Sequence, residues 1–249
     1  MSDFNRGFTS IPAGRADMAV DAGLRAFMLG VYNKVALGLV VSAALAYVTG
    51  SVPAVRDLMF TVTPDGRFGG YTILGLIVSF SPLVLLLGSR FIMKTQTASG
   101  TSALYWAVVA CIGASLGVNV LVYTGASIAT TFLVTAAAFG ALSLAGYTTK
   151  KDLTGFGSFL IIGVVGLFIA SVVNIFLHSA PMAFIVNVLG VLIFAGLIAY
   201  DTQRLKMTYY QMGGDRTSLA VATNYGALSL YIDFINLFQF LMNFLGSRR

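Results

Sequence analysis

The 249-residue sequence has little charge and few of the residue types that build soluble active sites. Charged residues make up only 10% of the chain, which contains one cysteine, one histidine and no glutamate. A single cysteine excludes both a disulfide within the chain and a cysteine-based metal cluster. Because all the acidic residues are aspartates, each carboxylate can be assigned a place in the predicted fold.

The rest of the chain is strongly apolar. Hydrophobic residues form 57% of the sequence and the mean hydropathy is +0.88, far above the usual range for a soluble domain. The net charge of +6 would suggest nucleic acid binding in a soluble protein. Here most lysines and arginines fall in short segments between apolar runs, where they set membrane orientation. The composition predicts an integral membrane protein and disfavours nucleic acid as a partner.

Apolar segments recur at a length that suits membrane helices, which need about 20 residues each. The predicted spans are residues 31–52, 71–87, 103–123, 127–147, 156–177, 182–200 and 227–245. They predict an all-α, polytopic membrane protein, a seven-helix transmembrane domain over residues 31–249 after a polar cytoplasmic tail, residues 1–30. Lysine and arginine are concentrated in the loops on the same side of the membrane as the N-terminus. The positive-inside rule places that side in the cytoplasm. The last segment either crosses the membrane or re-enters it, and the sequence leaves both open.

Asp233 lies inside the last predicted span, in the stretch ALSLYIDFINLF (227–238). A charge in the hydrocarbon costs about 2.5 to 3.5 kcal/mol on insertion scales, so an ionisable residue at this depth predicts a functional role. Helical periodicity places Ser229 and Asn236 near the same face as Asp233. This polar face is expected to point toward protein or water rather than lipid.

Two more charged residues are predicted near the cytoplasmic end of the bundle. Asp201 ends the sixth span in FAGLIAYDTQRLK (194–206), and Arg90 closes the second in LLLGSRFIMK (85–94). We expect Asp201 and Asp233 at comparable depth, with Arg90 able to form an ion pair with either. Two carboxylates that meet in a poorly solvated site can share a proton and titrate as a unit. The sequence therefore predicts a pH sensor built without histidine.

Four stretches together resemble the Bax inhibitor-1 family, the transmembrane Bax inhibitor motif proteins, in its bacterial branch. They are NKVALGLVVSAALAYVTG (33–50), FGALSLAGYTTKKDLTGFGSFL (139–160), VLIFAGLIAYDTQRLK (191–206) and ALSLYIDFINLF (227–238). The resemblance implies a seven-helix fold with a central last helix and a pH-sensitive calcium leak, in the bacterial inner membrane. It also implies that an aspartate pair, here Asp201 and Asp233, serves as latch and proton sensor. An arginine helps this latch in the family, and Arg90 is the candidate here.

The implied function is a calcium or cation leak channel, with no cofactor and with calcium only as the permeant ion. Calcium prefers about six to eight oxygen ligands. Asp201 and Asp233, with Ser229 and Asn236 as secondary polar lining, would therefore contact the ion weakly, as conduction requires. Some family members carry a glutamate in the second span, where this chain has serines, so the resemblance leaves the ion selectivity open.

Two other functions stay open at this stage. One is a non-conducting regulator of a membrane quality-control protease, with the polar tail as its binding handle. The other is a proton-coupled cation transporter, because a proton-sharing carboxylate pair also suits exchange.

A hydrolase is disfavoured, and no enzymatic activity is expected. The stretch GASLG (113–117) matches G-x-S-x-G around Ser115, but that motif needs a strand-to-helix elbow and here lies within a predicted span. His178, the only histidine, is predicted near the outer surface, whereas Ser115 is predicted in mid-membrane. Gly113 and Gly117 are better explained as small residues that let helices pack closely.

Overall fold

The computed structural model describes residues 13–92, 96–212 and 215–249, with side chains at residues 22–89, 96–212 and 215–249. Its helices are α1 (Ala13–Ser51), α2 (Pro53–Met59), α3 (Ile73–Ile92), α4 (Ala98–Ser115), α5 (Gly117–Val122), α6 (Gly125–Thr148), α7 (Thr154–Leu177), α8 (Ala180–Gln211) and α9 (Arg216–Leu245). Strands β1 (Phe60–Val62) and β2 (Phe68–Tyr71) form a short antiparallel hairpin between α2 and α3. The second predicted span, 71–87, begins at Tyr71, the last residue of β2.

The described part of the chain confirms an all-α, multi-pass membrane protein. Six helical segments are long and apolar enough to cross a bilayer: Ala22–Ser51, Ala98–Val122, Gly125–Thr148, Thr154–Leu177, Ala180–Gln211 and Arg216–Leu245. The second predicted span corresponds to a shorter apolar helix, Ile73–Ser89, which contains Pro82. The count of seven spans therefore stays a prediction. Helix α1 already begins at Ala13, within the stretch predicted as the polar tail.

The last helix, α9, lies at the centre of the bundle, as the family resemblance implies. Half of its most apolar stretch is buried, against 11% for α7, which faces outward. It packs against α1, α4, α6 and α8. Tyr231, Phe234 and Phe238 are buried on α9 against these neighbours, so its aromatic side chains pack in the protein core.

Helix α9 runs the length of the bundle instead of turning back. Its N-terminus follows α8, whose Lys206 donates to the carbonyl of Tyr147 in the last turn of α6. After α9 ends, the backbone of Arg248 forms an isolated antiparallel β-bridge with that of Tyr123, just before α6 begins. Helix α9 therefore starts near the end of α6 and finishes near its start. Whether this last segment crosses the membrane or re-enters it stays a prediction. We name the end with the α8–α9 connection the tail end, and the opposite end the far end.

Helices α8 and α9 extend beyond the predicted spans at the tail end. The sixth span was predicted to stop at Tyr200, but α8 continues through Asp201 to Gln211. The polar run after Tyr200 looks like a loop by hydropathy, yet its side chains bond to neighbouring parts of the fold. Gln203, for example, bonds both Leu153 and Lys151 of the α6–α7 connection. Asp201 is thus an interior residue of a helix rather than its end.

Candidate functional site

The two predicted aspartates come together where α8 and α9 pack against each other. Asp201 is only 4% exposed and Asp233 only 5%, although both are carboxylic acids. Asp201 is the carboxyl group that interacts with Asp233 across this helix contact. We call these two residues the acidic pair. Asp233 lies past the midpoint of α9, because α9 begins at Arg216, well before the predicted span 227–245.

Close helix packing holds the α8 side of this site in place. Gly146 of α6 lies against the backbone of Ala199, and Gly157 of α7 lies against the ring of Tyr200. A side chain at either glycine would collide with α8, so small residues allow three helices to approach just before Asp201. Thr202 and Leu205 are buried on the next turn. The carboxyl group of Asp201 is therefore carried by a well-packed helix.

Asp201 is held by two polar partners. Arg204, one helical turn further along α8, forms an ion pair through Nη2 with Oδ1 of Asp201 at 3.1 Å. Ser229 of α9 donates its hydroxyl to Oδ2 of Asp201. Arg204 also donates to the Ser229 hydroxyl at 3.2 Å, which closes a small network across the two helices.

Asp233 has a different environment. Its Oδ2 atom is buried and has no hydrogen-bond partner among the described residues. A buried carboxylate without partners is costly. Only a protonated carboxyl group can donate a hydrogen bond, so contact between two carboxyl groups is favourable when one of them holds a proton. The acidic pair is thus chemically suited to share one proton.

Arg204 was missed by the sequence reading, which assigned it to a loop as a charge that sets orientation. The D-x-x-R spacing in YDTQR was the signal that could have found it, since residues three apart share a helix face. Arg90, the predicted latch arginine, lies in the last turn of α3, but its side chain falls outside the described residues. Its contact with the acidic pair stays a prediction.

The predicted polar lining divides into two groups. Ser229 contacts Asp201 directly. Asn236 is half-buried on α9 and donates its amide to the carbonyl of Ile232, one turn earlier in the same helix, at 2.8 Å. The described contacts therefore connect Ser229, but not Asn236, to the acidic pair.

A second polar cluster on α9 was also missed. Lys34 of α1 donates to the side-chain oxygen of Asn224 at 2.5 Å and to Ser102 of α4 at 3.0 Å. Asn224 in turn donates to Thr101 at 2.8 Å and to the carbonyl of Ala98 at 2.9 Å. We call Lys34, Ser102, Thr101 and Asn224 the lysine cluster; it ties α1, α4 and α9 together near the tail end.

A metal site or a serine hydrolase would require certain side chains to lie close together. Over the described ranges, no group of three or more His, Cys, Asp or Glu side chains is placed to hold a metal ion. Ser115 donates its hydroxyl to the carbonyl of Cys111 in its own helix at 2.8 Å. His178 is exposed at the C-terminus of α7, and its ring contacts the carbonyl of Phe176. Neither of these contacts joins Ser115 to His178.

Fold and site together define a multi-pass helical membrane protein with a buried acidic pair on its central helix. Comparison with known sequences identifies the family. Residues 24–249 match the family described as "Inhibitor of apoptosis-promoting Bax1", and the chain therefore belongs to the Bax inhibitor-1 family.

Three relatives illustrate how far the similarity extends. An uncharacterized protein of Caulobacter vibrioides is 69% identical, with both chains covered completely. Protein RP147 of Rickettsia prowazekii, also named as uncharacterized, is 40% identical with both chains covered completely. The inner membrane protein YbhL of Escherichia coli is 40% identical over 94% of this chain and 98% of its own length.

Proposed function

We propose that the protein is a pH-gated cation leak channel, with calcium as the permeant ion and the acidic pair as its proton sensor. The observation that supports this most strongly is the buried contact between Asp201 and Asp233 across α8 and α9. Uptake of a proton changes the charge of the pair at this helix contact. A charge change at a helix contact can bias two packing arrangements of the helices.

In this proposal Arg204 is the latch arginine, supported by its 3.1 Å ion pair with Asp201. While the pair carries negative charge, Arg204 and Ser229 hold α9 against α8 and the path is closed. A second proton neutralises the pair and weakens the ion pair, which frees α9 to shift. Of the other helices packed on α9, α1 contributes the Lys34 ammonium at Asn224, and the sequences of α4 and α6 contain no lysine, arginine, aspartate or glutamate.

The donor set fits passage of calcium better than storage. Two carboxyl groups, with the neighbouring Ser229 hydroxyl, offer fewer oxygens than the about six to eight that a calcium ion prefers. An ion at this point would keep part of its hydration shell and leave quickly, as conduction requires. Calcium thus acts as cargo and not as a bound cofactor.

The test is calcium flux into proteoliposomes across pH 5 to 8, measured with an entrapped fluorescent indicator. We expect wild-type flux to rise as the pH falls, and Asp201→Asn and Asp233→Asn each to flatten that rise. Asp152→Asn, which changes an exposed aspartate in the α6–α7 connection, is the matched control and should keep the wild-type profile. Unchanged pH dependence in both pair variants would refute the proposal.

A proton-coupled transporter is the second candidate, because a carboxyl pair that shares a proton can also carry it across the membrane. The distinction is a driving-force experiment. A leak channel passes calcium down its own gradient with the pH equal on both sides, whereas a coupled transporter also requires an opposing proton gradient. The protease-regulator alternative makes a separate prediction, in which deletion of the polar tail abolishes regulation and leaves flux intact.

We further propose that the protein lies in the bacterial inner membrane with its N-terminus in the cytoplasm. The concentration of lysine and arginine at the tail end supports this orientation. The relative YbhL is named an inner membrane protein, which supports the location. Reporter fusions to the two chain ends test the orientation, and a reporter that is active outside the cytoplasm when fused to the N-terminus would contradict it.

A further inference from the structure

The seam between α8 and α9 continues from the acidic pair toward the far end of the bundle, where two aromatic rings close it. Phe194 of α8 and Phe240 of α9 stack with their ring centroids 5.8 Å apart and their planes at 27°. Phe194 is only 6% exposed and Phe240 is half-buried. The backbone of Gly190 lies against the Phe240 ring so closely that a Cβ atom there would meet it at 2.6 Å.

The spacing of these rings from the acidic pair is the same on both helices. Phe194 precedes Asp201 by seven residues, and Phe240 follows Asp233 by seven residues. Seven residues make almost two helical turns, so each ring shares a face with its aspartate and lies about 10 Å from it along the axis. Because α8 and α9 run antiparallel, both rings arrive at one level of the seam.

Polar side chains return beyond the rings. Asn243 of α9 donates to Asn187 of α8 at 3.0 Å, and the Tyr123 hydroxyl donates to Asn243 at 3.3 Å. Asn243 is exposed, so this position is close to the far-end surface. From the acidic pair to the far end, the seam is therefore polar at the aspartates. It is then apolar at the two rings and the buried Leu197, Ile198 and Leu237, and polar again at the asparagines.

We propose that the stacked Phe194 and Phe240 rings are the hydrophobic barrier that closes the ion path between the acidic pair and the far end. This inference rests on the proposed channel function and adds the place where the closed path is blocked. Tightly packed rings exclude water, and an ion that loses its water without gaining polar partners pays a large desolvation cost. Hydrophobic constrictions close other pores by such dewetting.

The barrier also connects protonation of the acidic pair to opening of the ion path. Phe240 is on the same helix as Asp233, two turns away, so a shift of α9 released at the acidic pair moves the Phe240 ring past Phe194 and Gly190. The pair therefore senses the proton while the rings do the closing.

The experiment measures calcium flux at pH 7.5, where the path is closed, in proteoliposomes containing Phe194→Ala or Phe240→Ala. We expect about a tenfold rise in flux in each, the change produced by lowering a barrier by about 1.4 kcal/mol. The matched control is Phe244→Ala. Phe244 forms an edge-to-face pair with Phe184 between the same two helices, but both rings are exposed, at 39% and 61%.

Phe240→Tyr is the second variant, because it keeps the ring and its packing while adding a hydroxyl that favours water. It should raise flux at pH 7.5 even if an alanine variant fails to fold. Folding is monitored by size-exclusion chromatography before reconstitution. Wild-type flux at pH 7.5 in folded Phe240→Tyr would overturn the barrier, as would an equal rise in Phe244→Ala.

The result separates this inference from the channel proposal. If the acidic-pair variants flatten the pH response while the ring variants leave flux unchanged, the channel stands and the barrier is wrong. If the acidic-pair variants keep the wild-type pH response, the channel proposal itself fails, whatever the ring variants do.

Discussion

The central helix contributes to two polar clusters that offset the cost of burying polar groups in different ways. In the lysine cluster, the ammonium of Lys34 and the amide of Asn224 both find neutral partners on neighbouring helices. In the acidic pair, two carboxyl groups face each other and one oxygen of Asp233 has no described partner. A satisfied network favours a single arrangement, whereas an incompletely satisfied one can change with protonation. We therefore assign the lysine cluster to stability and the acidic pair to switching.

The largest effect on stability is expected at the lysine cluster. Lys34→Ala leaves the buried oxygen of Asn224 without its donor, which costs about 1 to 3 kcal/mol. Thermal unfolding in detergent micelles should show this loss, while the pH response of flux in the surviving protein is kept. Lys150→Ala, at an exposed lysine, is the control. A lost pH response with normal stability in Lys34→Ala would reverse the assignment of the two clusters.

Arg204→Gln is expected to have a smaller effect, on flux instead of folding. The Arg204 side chain is 44% exposed, so its ion pair with Asp201 is worth no more than about 1 kcal/mol. Flux at pH 7.5 should rise by at most about fivefold, since each 1.4 kcal/mol is a factor of ten. Lys206→Met removes a neighbouring cation that bonds Tyr147 and should leave flux unchanged. Equal effects of the two variants would show that Arg204 is not a specific latch.

Ser229→Ala is predicted to change the same quantity less. The hydroxyl donates to Asp201 from a half-buried position, where water can replace it, so we expect about 0.5 kcal/mol, at the low end for a hydrogen bond. The flux curve should shift slightly on the pH axis and keep its slope. A flattened curve, comparable with that of Asp233→Asn, would mean that the serine belongs to the proton-sharing unit.

The smallest effect is expected at the exposed aspartate that caps α9. Hydrogen bonds from Ser218 lower the pKa of Asp215 below its ordinary value of 3.8. A group with a lowered pKa in the folded state stabilises the protein above its unfolded pKa and loses this contribution as the pH falls through the folded pKa. Asp215→Asn should therefore lessen the loss of thermal stability below pH 4 and leave the flux profile between pH 5 and 8 unchanged. A shifted flux profile would show that α9 capping and gating are coupled.

The sequence predicted most of what the hydrophobic effect controls and less of what side-chain pairing controls. Long apolar runs determine where the membrane helices lie. Counting residues from the ends of the antiparallel spans was enough to predict that Asp201 and Asp233 lie near each other. Arg204 and Lys34 were both counted as charges that set orientation, because hydropathy cannot distinguish a solvated charge from one bonded to another helix. The continuation of α8 to Gln211 was missed for the same reason. The stacking of Phe194 on Phe240 depends on the register of α8 against α9, which no single-helix pattern contains.

The most direct test of the comparison is the pH profile of calcium flux in the double variant Asp201→Asn with Asp233→Asn. Asparagine keeps the shape and polarity of each side chain but cannot take up the proton. If the acidic pair switches the channel and the lysine cluster stabilises the fold, the double variant folds and its flux does not change between pH 5 and 8. A folded double variant whose flux still rises in acid as steeply as that of the wild type would contradict this account.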